Sequence, residues 1–485
     1  MLVYRNSLVF LLAKAALTAL PECRLTVEHS FETGFYCSFE GKSGSPLTAA
    51  QTRILDQTMR SAVHHNLPIC RQLLSFEEAV ELFDQFAQKD KADLLRFRNP
   101  PTVVVHTCGR FIDLAHSPLA PSTGTLPDFK LARYHPGLLL QFPGQEHPAR
   151  IARFRDQPHL FKIFNDHKKW GRTIGVRNVG NLNELIYRGR MPEFIRMAEA
   201  FHEKKIARLA DKIAERRQTL KVIFVSGPSA AGKTTLAKRL AVQLHVNGIN
   251  TSTISLDDYY VDDADTPLDA DGRPDYEHID AIDVPLFNRH LLDLIRGRKV
   301  ELPFFNFETK QREFRGVQRQ LAPEEMLIVE GIHGLNPRLS RRIPADAKFK
   351  IYISALTQLN IDANNRISTT DNRLMRRMVR DYRFRGNTPA RTLSMWPSVR
   401  NGERTWIFPF QAQADAAFNS ALDYELAVLK PMVEPLLMTI KPTSPEYAEA
   451  RRLQGFLDNF LPAPATDVPA TSILREYIGA SNFEY

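Results

Sequence analysis

The chain has 485 residues, 43% of them hydrophobic, and 64 Lys and Arg against 55 Asp and Glu give a formal charge of +9. That apolar share excludes intrinsic disorder, 23 Gly and 31 Pro exclude a collagenous chain, and the length suits about three domains. Cysteines only at 23, 37, 70 and 108 exclude a disulfide scaffold or a four-cysteine zinc knuckle, so a reducing, cytoplasmic compartment is expected.

The N-terminus, MLVYRNSLVFLLAKAALTALPEC, joins Arg5 to an apolar run that Lys14 interrupts. The run falls short of the ~20 residues of a spanning helix. Leu8, Leu11, Leu12, Ala15 and Ala16 recur at helical spacing. They predict an amphipathic helix packed on its own domain, with no membrane span. Residues 22–40 predict two short strands around Gly34, 48–63 and 76–88 predict helices, and 102–106 a buried strand. A Pro- and Gly-rich stretch and more strand follow. Residues 192–219 predict one long helix with an apolar stripe of Phe194, Ala198, Phe201, Ile206, Leu209 and Ile213. From Lys221 the strands KVIFVS, TSTISL, MLIVEG and FKIYIS alternate with helices, which predicts an α/β fold with a parallel sheet flanked by helices. Residues 461–470 read as a linker, and the tail 471–481 carries no legible chemical motif. The expected organisation is an α+β domain at 1–190, a helical connector at 191–219, a P-loop domain at 220–440 and a C-terminal linker and tail at 441–485.

Residues Gly227, Pro228, Ser229, Ala230, Ala231, Gly232, Lys233 and Thr234, followed by Thr235, satisfy G-x-x-x-x-G-K-[ST] between a strand and a helix. Such a loop turns its backbone N–H groups inward around phosphates at a helix N-terminus. Lys233 would reach the β- and γ-phosphates and Thr234 would ligate Mg²⁺, so ATP and Mg²⁺ are the expected cofactors.

The strand TSTISL ends in Asp257 and Asp258, which read either as a proton acceptor beside the phosphates or as a turn-forming pair. Glu330 ends a later strand, where an acid can hold Mg²⁺ or its water. Between 366 and 385 lie seven arginines and no lysine, with Arg373, Arg376, Arg377 and Arg380 on one helical face. Guanidinium forks suit a lid over a transferring phosphoryl group. An RNA-binding face and a solvated helix are the other readings. Trp396 and Trp406 interleaved with Arg400 and Arg404 read either as stacking groups for bases or as packing on the core. The segment D-A-D-G at 269–272 does not make a calcium loop, because Pro267 and His278 occupy its first and twelfth positions.

With GPSAAGKTT, SLDDYY, PDYEHIDAID, LPFFNF, IVEGIHG and RLMRRMVRDYRFRG in this order, residues 220–430 resemble the uridine kinase and phosphoribulokinase-like family of P-loop kinases. The resemblance implies Asp257 as base toward a primary hydroxyl and Tyr260 in the substrate pocket. It puts Glu277 where an aspartate holds ribose hydroxyls. It further implies that Arg377 and Arg380 meet substrate and triphosphate, with Arg385 on the nucleotide. Phe305 and Lys310 replace a tyrosine and a histidine that face the pyrimidine, and Asn387 replaces an arginine. Phosphoryl transfer is therefore expected to be kept and pyrimidine reading weakened.

RLTVEHSFETGFYCSFE and FIDLAHSPLAPSTGTLPDFKL make residues 1–190 similar to the second, editing-type domain of threonyl-tRNA synthetase. The HxxxH and CxxxH groups of that domain align with Asn6, Phe10, Ala115 and Leu119, so its editing chemistry is not expected here. His64, His65, His106 and His116 restore no helical ligand pair. The leading expectation is a kinase acting on a small-molecule hydroxyl acceptor, a nucleoside. Its rivals are a kinase for a non-nucleoside alcohol or sugar phosphate, and an ATP-switched RNA-binding or regulatory protein. RNA binding and a homo-oligomer stay open.

Overall fold

The computed structural model describes residues 2–31, 34–41, 46–144, 150–154, 156–269 and 271–484, and only the backbone of 159, 160 and 162. In the N-terminal half α1 (Leu2–Ala19) leads into a hairpin of β1 (Cys23–Phe31) and β2 (Gly34–Gly41). Then come α2 (Ala49–His64), β3 (Cys70–Ser75), α3 (Phe76–Gln85), α4 (Lys89–Arg98), β4 (Thr102–Cys108), β5 (Phe111–Leu114), β6 (Lys130–Tyr134) and β7 (Gly137–Gln141). Two antiparallel sheets result, one ordered β1-β2-β7-β6 and one β3-β4-β5. A capping box of Thr48 and Gln51 fixes the start of α2, which buries Leu55 and Met59.

Helix α1 packs on its own domain, as its spacing suggested, but it is buried on more than one face. Every residue from Ser7 to Ala13 is buried, because α2, the larger sheet and Phe111 enclose it. Its 18 residues are long and apolar enough, by length and composition alone, to cross a membrane. Here half of that stretch is buried within the protein.

Helices α5 (Pro158–Ile174), α6 (Val179–Tyr187) and α7 (Met191–Ala214) follow. Helix α7 starts on Pro192 in its first turn, where the missing N–H costs nothing, and lays its apolar stripe against the next helix. The remainder runs β8 (Val222–Ser226), α8 (Lys233–Val246), β9 (Thr251–Ser255), α9 (Val284–Ile295), β10 (Val300–Asn306), β11 (Gln311–Arg319), β12 (Met326–Glu330), α10 (Pro337–Ser340) and β13 (Lys348–Ser354). It ends with α11 (Thr369–Phe384), α12 (Pro389–Trp406), β14 (Ala416–Asn419), α13 (Glu425–Met438), α14 (Tyr447–Leu457) and α15 (Arg475–Ile478). The second half is α/β: a parallel five-stranded sheet ordered β14-β13-β8-β12-β9, with β10 and β11 as a separate antiparallel ribbon. Strands β8 and β12 are buried throughout, as a sheet covered on both faces requires. With β8 central, the loop 227–234 leaves the middle of the sheet at its carboxyl edge, where open α/β sheets bind ligands.

The two halves share a core. It runs from Phe83, Leu94 and Leu95 through Phe194 and Ile206 to Val225, Leu240, Ile351 and Leu429. The loop after β13 docks on the N-terminal half. Val27 N–H donates to the Ala363 carbonyl at 2.8 Å and Ala363 N–H to the Asp90 carboxylate at 2.7 Å. Residues 461–470, expected as a linker, bury Ala463 and Val468, and the tail buries Ile473, Leu474 and Tyr477.

Candidate active site

Two glycines shape the phosphate loop. A Cβ on Gly227 would lie 1.9 Å from the Ile353 carbonyl oxygen, so β13 can pass this close only to glycine. Gly232, at φ +84°, turns the chain into α8. The outer carbonyls of the loop are braced: Ser229 C=O accepts from Arg373 Nη1 at 2.9 Å and Ala231 C=O from Ser420 Oγ at 2.6 Å. Its donors face carboxylates. Ser229 N–H donates to Glu403 Oε1 at 3.0 Å, and the Thr235 hydroxyl to Glu476 Oε2 at 2.7 Å. Lys233 Nζ donates to the Pro228 carbonyl at 3.3 Å. Ala230 and Ala231 are buried in the loop, and Thr234 is partly buried in the first turn of α8.

Asp257 lies in a short 3-10 turn after β9, its N–H donating to Ser255 Oγ at 3.3 Å. The Ser255 hydroxyl donates to Glu330 Oε1 at 2.8 Å, which ties the ends of β9 and β12 together. Burial, reinforced by the charge of Asp257, pushes the Glu330 carboxyl up to about 7 against the pull of Lys233. The neighbouring Asp258 rises to about 6 by burial and then by Asp257. Glu277 also rises to about 7, by burial and by Glu403, with Arg377 and Lys233 opposing and Asp257 adding. These mutual influences place Lys233, Asp257, Glu277, Glu330, Arg377 and Glu403 in one electrostatic neighbourhood.

One wall is aromatic. Tyr260 is buried, donates its hydroxyl to the Tyr276 carbonyl at 3.1 Å, and packs on Phe305 and Phe307 with ring centroids 5.4 and 6.4 Å away. Phe305 is only 2% exposed. Lys310 turns at the hairpin tip with φ +57°, and its Nζ pairs with Asp263 at 3.3 Å.

The arginine helix divides its charges. Arg373 and Arg376, 3% and 0% exposed, are clamped by Glu403 and Glu425, with Arg373 Nη2 2.7 Å from Glu403 Oε2 and Arg376 Nε 2.8 Å from Glu425 Oε2. Neither belongs to a solvated or RNA-binding face. Arg377 Nη1 donates to Ser229 Oγ at 2.8 Å. Arg377, Arg380 and Arg385 converge on buried Asp381, at 3.0, 2.8 and 4.0 Å. The charge of Arg380, with burial, lowers Arg385 to about 10. Trp396 is buried under Arg373 at 5.4 Å, and Trp406 meets the His278 ring at 4.3 Å, so both tryptophans pack within the protein.

Sequence reasoning missed Glu403, Asp381 and Glu476. Gly402 was the only signal for the first: a Cβ there would sit 2.2 Å from the Glu277 Cβ, so glycine is needed where α12 meets the segment carrying Glu277. In the N-terminal half Asn6 Nδ2 donates to Ser117 Oγ at 2.6 Å, and Phe10 packs edge-on to Phe111 at 4.9 Å. Among the described residues no cluster of three or more His, Cys, Asp or Glu is arranged to hold a metal.

The sequence signature of the Phosphoribulokinase / Uridine kinase family matches residues 222–427. A uridine kinase of Deinococcus deserti is 30% identical over 196 residues, covering 40% of this chain and 84% of that one. A uridine kinase of Ligilactobacillus salivarius is 27% identical over 219 residues, 44% of this chain and 92% of that one. A threonine–tRNA ligase of Acidithiobacillus ferrooxidans is 35% identical over 133 residues, 27% of this chain, which spans only 20% of the ligase. With its phosphate loop, its acids and its arginine helix all inside the matched stretch, the chain belongs to the phosphoribulokinase and uridine kinase family.

Proposed function

We propose that this kinase is an ATP- and Mg²⁺-dependent phosphotransferase acting on a hydroxyl of a nucleoside. The observation that carries this reading is the meeting of Asp257, Glu277, Glu330 and Lys233 between the phosphate loop and the Tyr260 wall. The donor set suits magnesium, which takes one or two carboxylates and completes its shell with phosphate oxygens and water. Thr234 and Glu330 would hold the ion, and bound MgATP supplies an electrophilic γ-phosphoryl group with its charge partly neutralised.

Asp257 takes the proton of the acceptor hydroxyl as its oxygen bonds to the γ-phosphorus, while the bond from that phosphorus to the β-phosphate oxygen breaks and ADP leaves. Lys233, Arg377 and Arg380 draw the negative charge that spreads over the transferring oxygens, and Arg385 lies beside them. Glu277, with an unpartnered buried Oε2, is a free acceptor for sugar hydroxyls. Phe305 offers only a ring, and Lys310 is engaged by Asp263. Neither leaves a free polar group for a base edge, which supports relaxed base selection. The pairing of Lys310 with Asp263 also weighs against the anionic acceptor that a free cation would have favoured. An ATP-switched RNA-binding protein draws its support from the synthetase-like half and the mild basic balance. Four unpaired cysteines accord with the reducing, cytoplasmic setting we propose.

The test is ATP consumption with Mg²⁺ across pooled nucleosides and sugar alcohols, with Asp257→Ala alongside. Nucleoside-dependent turnover that falls by roughly 10²–10⁴ in the variant is expected. ATP binding without turnover on any pool sinks the proposal.

A further inference from the structure

Where the two halves meet, three separate segments bring together arginines that have no ion-pair partner among the described residues. The Arg5 guanidinium, from α1, lies 5.0 Å from the centroid of the Phe142 ring. Arg366, from the loop that docks on the N-terminal half, lies 5.0 Å from the Phe35 ring. Those two rings touch edge to face with centroids 5.0 Å apart, so the guanidiniums stand over one aromatic pair. Arg400 and Arg404 add the same face of α12, one turn apart, and both are exposed.

The arginines buried around the phosphate loop have acids. Arg373 has Glu403, Arg376 has Glu425, and Arg377 and Arg380 share Asp381. By contrast, the side chains of Arg5, Arg366, Arg400 and Arg404 make no hydrogen bond or ion pair with any described residue, and Arg5 Nε is buried without a partner. The nearest acids are committed elsewhere. Asp371 is held bidentately by Arg452 at 2.8 and 2.9 Å, and Glu403 by Arg373.

The like charges act on one another. Burial lowers Arg5, and Arg400 and Arg404 lower it further. Burial brings Arg366 down to about 10, with Asp371 opposing and Arg5 adding. Burial and then Arg404 lower Arg400, while Glu403 and Asp371 resist. Such an assembly costs stability until an anion joins it, and four guanidinium forks without a lysine fit phosphate oxygens.

We propose that Arg5, Arg366, Arg400 and Arg404 form a binding site for a phosphate-bearing anion at the junction of the synthetase-like and kinase halves, separate from the phosphate loop. Two sources share that chemistry, a small polyphosphorylated molecule and a nucleic-acid 5′-phosphate. The probe is inorganic pyrophosphate, titrated calorimetrically into the full chain after the phosphate loop is saturated with Mg²⁺ and a non-hydrolysable ATP analogue. One further site is expected, weakened at least tenfold in Arg400→Ala/Arg404→Ala. A 5′-phosphorylated RNA oligomer that displaces pyrophosphate points to nucleic acid, and failure to displace it points to the small molecule. Both support the site.

Melting curves give a second readout. Without anion the double variant is expected to melt at a temperature equal to or above wild type, because like charges have been removed. With pyrophosphate only the wild type should gain stability. A variant that melts lower than wild type without anion would mark these arginines as structural. That outcome, no pyrophosphate binding beside the filled phosphate loop, or equal binding by the variant overturns the proposal.

Discussion

Glu277 shows what burial does to a residue that must wait for a polar partner. Its carboxyl stands near 7 in the folded chain against an ordinary value of 4.5, because burial and Glu403 outweigh Arg377 and Lys233. The raised value means that the folded state holds a proton which the unfolded state has released between these pH values. The stability Glu277 contributes is thus fully present below about pH 4.5 and lost as pH rises through about 7, at most about 3 kcal/mol. Glu277→Gln should remove this contribution and flatten the fall in stability over that window, read as urea midpoints from pH 5 to 8. An unchanged slope would show that Glu277 is not the group titrating. At this scale the sequence was legible where chemistry is local: Gly227 to Thr235 are contiguous, Asp257 closely follows one strand and Glu330 ends another. Glu403 and Glu476 were not, because they reach Ser229 and Thr235 from 174 and 241 residues away, and neither lies in a pattern of its own.

The elements around the phosphate loop act as a frame and a plug. Arg373 holds a loop carbonyl from behind and Arg377 the Ser229 hydroxyl, so α11 is built into the site rather than poised above it. Periodicity found one face of this helix but could not say that acids on α12 and α13 would bury it. The tail is the plug. Ile473 would lie 2.5 Å from a Cβ on Gly232, Arg383 donates to the Ile478 carbonyl, and Glu476 accepts the Thr235 hydroxyl at the N-terminus of α8. A carboxylate there competes with the phosphates for the same donors and repels them. Glu476→Gln keeps the shape and removes the charge, so MgATP should bind roughly five- to tenfold more tightly, a gain of about 1 kcal/mol for one relieved charge. Equilibrium binding by fluorescence would show it. Unchanged or weaker affinity would mean that the tail and the nucleotide do not compete.

At the scale of the whole molecule, the two halves are joined through the loop after β13 as well as through a common core. The apolar patterns of the strands and helices foretold an α+β half and an α/β half. They could not foretell that Phe83 and Leu94 would share a core with Ile351, because that contact depends on where the loop after β13 is anchored. The anchor is Asp362, 0% exposed. It receives His116 Nε2 at 3.1 Å and Asn365 Nδ2 at 2.9 Å, and the next residues reach Val27, Asp90 and Lys91. Lys91, 1% exposed, is itself paired with Asp113 at 2.9 Å, and the charge of Asp362 helps to keep it protonated. Asp362→Ala should therefore leave Lys91 short of a buried counter-charge and His116 without its hydrogen-bond partner, and cost about 3 kcal/mol. Since the core is continuous, that loss should be felt on both sides of the loop. Amide exchange at Val27 in β1 and at Asn372 in α11 should accelerate together, and thermal unfolding should remain one transition at a lower midpoint. Faster exchange confined to the N-terminal half, or a melt that splits in two, would instead describe two independent domains tethered by a loop.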